Sequence, residues 1–344
     1  MITRRRGLIT GAAALTLPFV ITRRALGATV INSVGTAGGR DFSTIGAWLG
    51  ALPSGPNGNT YWGQLYPDTE FNELVVFSGH GALPIIMSPA PGFSFRDNPS
   101  VRSNPLYYNA SNGVGLTSNA NPPSPYQSMV VVLDNNVTIN GMQFYMAGGG
   151  SCFNSGFLSS ASTITVNYCI FVQLSGAALN TSYTTYNNCL FVGLDSNPLA
   201  ELIEVNTPIT SNFWNFGTFA SPNGMENCFD VNPGGFPTGE NLAVFGFTNT
   251  GAGASFTNCM TDVASPPSGF VGGKVYANQF VNVSSDFRQK AGADLRGAGI
   301  SDPTNGAFDI SGFARPQAGV GSGWDIGAWQ AASRSGGGGL FHRG

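Results

Sequence analysis

Charge is scarce in this chain. Only 10% of its 344 residues are Asp, Glu, Lys or Arg, against about 25% in an average soluble domain. Cations are scarcer still, since the 171 residues from 103 to 273 contain no Lys, Arg or His. That stretch does hold eight acids: Asp134, Asp195, Glu201, Glu204, Glu226, Asp230, Glu240 and Asp262. A body of this kind makes a poor receptor for nucleic acid, acidic lipid or polyuronate. It also argues against β-elimination on uronates, which needs a Lys or Arg base and a cation on the substrate carboxylate; Arg288, Lys290 and Arg296 lie beyond that stretch and read as a solvated edge of the cap. There is no GxSxG, no Gly-rich phosphate loop and no HExxH. The five cysteines form no CxxC pair and have no His beside them, which excludes a zinc site; no metal or cofactor is implied. No apolar run approaches the roughly 20 residues of a membrane-crossing helix. So little charge also argues against a coiled coil or a helical bundle.

What the chain has instead is 48 Gly, 31 Asn and 25 Phe. Gly and Asn tolerate backbone with φ > 0. With many Val, Ile and Thr between them, they point to short strands joined by frequent tight turns. Solubility then rests on Asn, Ser, Thr and Gly.

Residues 1–28 read as an export leader or, alternatively, as an uncleaved basic arm. TRRRGLITG (3–11) is a charged start, Gly11 to Ile21 is apolar, and ALGA (25–28) offers small residues for cleavage. The arginine pair before Gly-Leu-Ile is similar to twin-arginine leaders. Without these residues, 10 basic side chains remain against 18 acidic ones, a net charge of −8.

Internal repetition points to the architecture. NVTINGMQF (136–144), STITVNYCIF (162–171), TTYNNCLF (184–191), MENCF (225–229) and SFTNCM (255–260) align on one column. Its members are Met142, Cys169, Cys189, Cys228 and Cys259, spaced by 27, 20, 39 and 31 residues. The preceding column reads Gly141, Tyr168, Asn188, Asn227, Asn258, and Phe144, Phe171 and Phe191 lie two residues beyond. Short strand patterns at 20–30-residue intervals predict an all-β fold, a single-stranded right-handed parallel β-helix of roughly ten turns. The column then forms an interior ladder of unpaired thiols; Cys152 falls outside it and its role stays open.

The expected organisation is a leader or arm at 1–28 and an N-terminal cap at 29–59. The β-helix follows at 60–290, then a C-terminal cap at 291–333 and a Gly-rich tail at 334–344. A short helix at IGAWL, N-capped by Ser43 or Asp41, is expected to close the first end. At the other end AGADLRGAG (291–299), FDISGFARP (308–316) and WDIGAWQ (324–330) suggest loops in which Asp pins backbone N–H groups.

The opening VGTAGGRDFSTIGAWLGALP, the segment YWGQLYPDTEF (61–71) and the closing FARP and WDIGAWQ resemble a bacterial and phage family of right-handed β-helix proteins. That family belongs to the pectin-lyase-like superfamily, and the resemblance spans about residues 30–330. It implies a cell-surface or virion element, an adhesin or a tail fibre or spike. Phage spikes of this kind are usually trimers, so a homotrimer or other virion partners belong to the same expectation, although no trimerisation motif is visible.

Two kinds of site are expected on such a scaffold. Hydrolysis of a polysaccharide needs two carboxyls about 5 to 9.5 Å apart. The candidates are Asp195, Glu201, Glu204, Glu226 and Asp230, although Glu201 and Glu204 would face opposite ways on one strand. Binding of a neutral glycan needs aromatic faces beside amides. NFWNFGTF (212–219) supplies Asn212, Phe213, Trp214, Asn215 and Phe216, and LYYN (106–109) is a smaller instance. The plainer alternative is that these rings are core and rim of one turn. His80, in SGHGALP, reads as a turn residue. Three functions stay open: an exported surface protein with neutral-glycan contact, a secreted hydrolase, and a scaffold without ligand.

Overall fold

The computed structural model describes residues 27–118, 128–155, 163–174, 179–181, 184–193, 203–205, 212–214, 229–231, 238–245, 255–266, 268–301, 307–316 and 323–331. They are predominantly β with very little helix, and their three large sheets are parallel throughout.

The first sheet has nine strands, stacked in chain order from Thr29–Val34 and Thr60–Leu65 to Thr238–Glu240 and Ser255–Thr257. The second has four: Gly115–Ser118, Gln143–Met146, Ile170–Gln173 and Leu190–Gly193. The third has six, from Val75–Phe77 to Phe229–Val231. From Ile85 to Val205 the chain visits a strand of each sheet in turn, so each pass lies against the one before. Thr163–Asn167, for example, pairs in register with Asn136–Asn140 before it and Thr184–Asn187 after it.

Alternation explains the strands. In TITVN (163–167), Ile164 and Val166 are buried and their neighbours are not. Because the register is exact in residue number, like stacks on like. Phe144, Phe171 and Phe191 align on the second sheet with ring centroids 4.7 and 4.9 Å apart and planes 8° and 6° from parallel. Those spacings match the strand repeat of about 4.8 Å.

In five passes the corner directly after a first-sheet strand requires a left-handed residue. Gly141, Tyr168, Asn188, Asn241 and Asn258 hold it, with φ between 51° and 63°. The next residues, Met142, Cys169, Cys189, Leu242 and Cys259, all belong to the main core cluster. Cys228 lies outside the described residues. In the described corners the position between Cys189 and Cys259 is held by Leu242.

The helix Ile45–Gly50 buries Ile45, Trp48 and Leu49 in the same core. Gly63 leaves room for it, since a Cβ there would come within 2.6 Å of the Trp48 ring. Its N-cap is Thr44, whose Oγ1 accepts from Ala47 N at 3.0 Å, not Ser43 or Asp41. Asp41 is occupied elsewhere, accepting from Ser33 N and Ser33 Oγ. Glu73 accepts from Ile45 N and Gly46 N, both at 2.9 Å, and so binds the first turn across 28 residues of chain.

A second core lies outside the sheets. Ile170, Val172, Leu190 and Val192, on the outward positions of the second sheet, join Phe280, Phe287, Leu295, Ile310, Ile326 and Trp329. Phe95 and Leu106 complete it from the long connection between Pro89 and Gly115. Asp309 accepts from Ser311 N, Phe313 N and Gln330 N, and Asp325 from Gly297 N and Ala331 N. Arg102 reaches across to Asp309, at 2.7 Å, and to Ser311 and the Gln330 carbonyl.

Candidate functional site

The expected residues divide into those the structure describes and those it does not. Asp195, Glu201, Glu226, Asn215, Phe216 and Cys228 lie outside the described residues. Backbone and register are described for Glu204, Asp230, Asn212, Phe213 and Trp214.

Trp214 ends its strand in register with Asn187 on one side and Glu240 on the other. Its position continues a column of amides: Asn167 Nδ2 donates to Asn140 Oδ1 and Asn187 Nδ2 to Asn167 Oδ1, each at 2.7 Å. The column therefore changes from amide to indole at Trp214. In the third sheet, Glu204 is the register partner of Asp230, and Asn154 and Asn180 precede them in the same column. Sequence spacing missed this adjacency because the connections between strands vary in length.

The cysteines are placed clearly. Cys152, Cys169, Cys189 and Cys259 are buried and form no disulfide. Cys169 donates to Asn167 O at 3.2 Å, Cys189 to Asn187 O at 3.4 Å, and Cys259 to Thr257 O at 3.3 Å. Each thiol thus satisfies a carbonyl beside the left-handed corner. Burial pushes the Cys152 and Cys189 thiols well above the ordinary range, so they stay protonated and unreactive. Cys152 donates to Gln173 Oε1 at 3.1 Å. Among the described residues no cluster of three His, Cys, Asp or Glu could share a metal ion, and no helix is long and apolar enough to cross a membrane.

His80 sits between Gly79 and Gly81, at φ 87° and 61°. Its N–H and that of Gly81 donate to Asp134 Oδ1, both at 2.9 Å, and its Nδ1 is 3.0 Å from the Pro53 carbonyl. Of LYYN, Tyr107 stacks on Phe287 with centroids 6.3 Å apart. Tyr108 packs on Tyr145 at 5.0 Å and donates to Glu70. Tyr108 thus fastens the 90–114 connection to the second sheet and Tyr107 fastens it to the strand Asp286–Gln289.

That connection carries a cleft of about 390 Å³, at the small end of the roughly 300–1,000 Å³ typical of ligand sites. Its lining includes Phe93, Ser94, Asp97, Asn98, Ser111 and Asn112. Two local motifs shape it. The turn Phe95–Asp97 is closed by a capping box in which Ser94 Oγ accepts from Arg96 N and Asp97 Oδ2 from Ser94 N. The turn Ala110–Asn112 is capped by Asn109, which accepts from Ser111 N at 2.9 Å. Sequence reading passed over this place because its groups come from both ends of one long connection.

Compared with known protein families, with curated proteins and with solved structures, the chain finds no match in any of the three.

Proposed function

We propose that this chain is a right-handed parallel β-helix of the pectin-lyase-like kind, with roughly ten turns and its first end closed by the helix Ile45–Gly50. It is displayed outside the cytoplasm or on a virion as an adhesin or a tail fibre or spike element. It contacts neutral glycan and does not cleave it. The observation that carries this reading is the recurrence of one three-sheet pass, which stacks nine strands in the first sheet alone. A stack of this kind is a stiff rod whose connections form rows along its flanks, and binding residues concentrate on such connections. The 171 residues without a cation favour an uncharged ligand. Trp214, following a column of amides, supplies the aromatic element of such a contact. The test is binding to a panel of neutral oligosaccharides, with fractionation of cells making the Arg4→Lys/Arg5→Lys variant. The reading expects Trp214→Ala to weaken binding by about 1 kcal/mol or more, the loss of one stacking face, and the leader variant to stay inside the cell. Binding confined to acidic polysaccharides would refute it.

A second reading, a secreted polysaccharide hydrolase on the same fold, is favoured by one observation. Glu204 and Asp230 are register partners on adjacent strands, whose backbones lie about 4.8 Å apart along the stack. Retaining glycosidases hold their two carboxyls roughly 5–5.5 Å apart. Release of reducing sugar that is lost in both Glu204→Gln and Asp230→Asn would establish this reading in place of the first.

A further inference from the structure

We infer that the cleft between residues 92–99 and 110–113 is a subsite for a neutral sugar of one or two pyranose rings, separate from Trp214. This rests on the neutral-glycan reading and gives it a second, fully described location.

The first element is a fixed aromatic face. Phe93 is 40% exposed, and its ring packs against Tyr66 with centroids 5.3 Å apart. Tyr66 in turn carries the Arg40 guanidinium 3.4 Å from its ring centre. Arg40 is held by two hydrogen bonds to Asp68, at 2.9 and 2.8 Å. Phe93 is therefore backed by a rigid row, and little side-chain freedom remains to be lost when a sugar CH face stacks on it.

The second element is a pair of unused polar groups. Asp97 Oδ2 accepts from Gly92 N at 3.0 Å and Ser94 N at 3.2 Å. Its other oxygen has no partner among the described residues and can accept from a sugar hydroxyl in a charge-assisted bond. Asn112 Oδ1 accepts from Asn98 Nδ2 at 3.4 Å and Asn104 Nδ2 at 3.1 Å. That fixes the carboxamide plane and leaves the Asn112 NH₂ without a partner among the described residues, a donor for a hydroxyl or ring oxygen.

The third element is charge. Asp97 is the sole acidic side chain lining the cleft. No Lys, Arg or His lines the cleft; Arg96 lies over the Tyr168 ring at 3.8 Å, and Arg40 is on Asp68. A carboxylated or sulfated sugar would meet an acid and no cation in the lining. The ligand class is therefore neutral, with hydroxyl groups positioned to use an acceptor and a donor beside a stacking face.

The test uses the full chain and an array of unmodified di- to hexasaccharides of glucose, galactose and mannose, with uronate and sulfated oligosaccharides as a second panel. Hits are titrated calorimetrically against Phe93→Ala, Asp97→Asn, Phe93→Trp and Trp214→Ala, each first shown to keep the parent circular dichroism. The expected result is a neutral hit weakened about tenfold or more by Phe93→Ala and Asp97→Asn, and kept by Phe93→Trp. Binding that Trp214→Ala abolishes while Phe93→Ala leaves it unchanged would overturn the subsite and keep the glycan reading. Binding to the acidic panel alone, or to neither panel, would overturn both.

Discussion

The Phe144–Phe171–Phe191 stack allows a stability prediction with an internal control. Phe171 is fully buried, with a ring on either side at 4.7 and 4.9 Å. It also meets the edge of Phe153 at 6.4 Å. Phe144 has a ring on one side and the register partner Leu116 on the other. Truncating a buried Phe to Ala removes its transfer free energy and leaves a cavity, together about 3–5 kcal/mol. Each aromatic pair adds roughly 0.5–1.5 kcal/mol beyond buried area. Phe171→Ala therefore belongs at the upper end, about 4–5 kcal/mol. Phe171→Leu keeps most of the apolar volume but loses both stacks, about 1–3 kcal/mol. Phe144→Leu loses one stack, about half as much. Guanidinium unfolding followed by far-ultraviolet circular dichroism, at an unchanged denaturant slope, measures all three. The reasoning fails if Phe171→Leu costs no more than Phe144→Leu, or if Phe171→Ala costs under about 1 kcal/mol.

Cys189→Ser should cost roughly 1–3 kcal/mol, because a hydroxyl replaces a buried thiol matched to the Asn187 and Val166 carbonyls. Native protein should also resist thiol-reactive reagents at Cys152, Cys169, Cys189 and Cys259, and rapid labelling without denaturant would contradict their burial. The Tyr107 phenol is pushed up from 10.0 to about 12, first by burial and then by Tyr145. Below pH 10 both folded and unfolded states keep this proton, and between 10 and 12 the unfolded state loses it first, so the fold weakens as pH rises through that window. Burial also pushes Tyr108 and Tyr168 up, so phenolate absorbance should show several late-titrating tyrosines, one fewer in Tyr107→Phe. Asp68 behaves in the opposite sense. Its carboxyl is held low, chiefly by the Arg40 hydrogen bond. The pair's contribution is therefore present above the ordinary pH of about 3.8 and lost as pH falls through the lower folded value. The Asp68→Asn variant should lose that acid dependence.

The sequence by itself determined the local geometry. Alternation in stretches such as TITVN can bury only one face of a strand. Gly141, Asn188 and Asn258 are residues that tolerate the left-handed corner they occupy. Tyr168 occupies the same corner at φ 54°, and nothing local favours an aromatic there; its ring is held from outside by Arg96. The parallel, predominantly β character followed from this repetition, as did the scarcity of helix. Tertiary structure decided everything that depends on which pass lies beside which. Leu242 shares the core column with the thiols, but a Leu after an Asn carries no mark of position. The helix start moved to Thr44 because Glu73, far along the chain, is available to bind its first N–H groups. Glu204 and Asp230 became neighbours through register across connections of irregular length. Phe93 and Asn112 share a cleft because the 90–114 connection folds back on itself and is fastened to the second sheet and to residues near the C-terminus. Strand periodicity is a property of two or three adjacent residues, so composition and pattern reveal it. A site assembled across rungs depends on the lengths and packing of loops, which are set only when the whole stack closes.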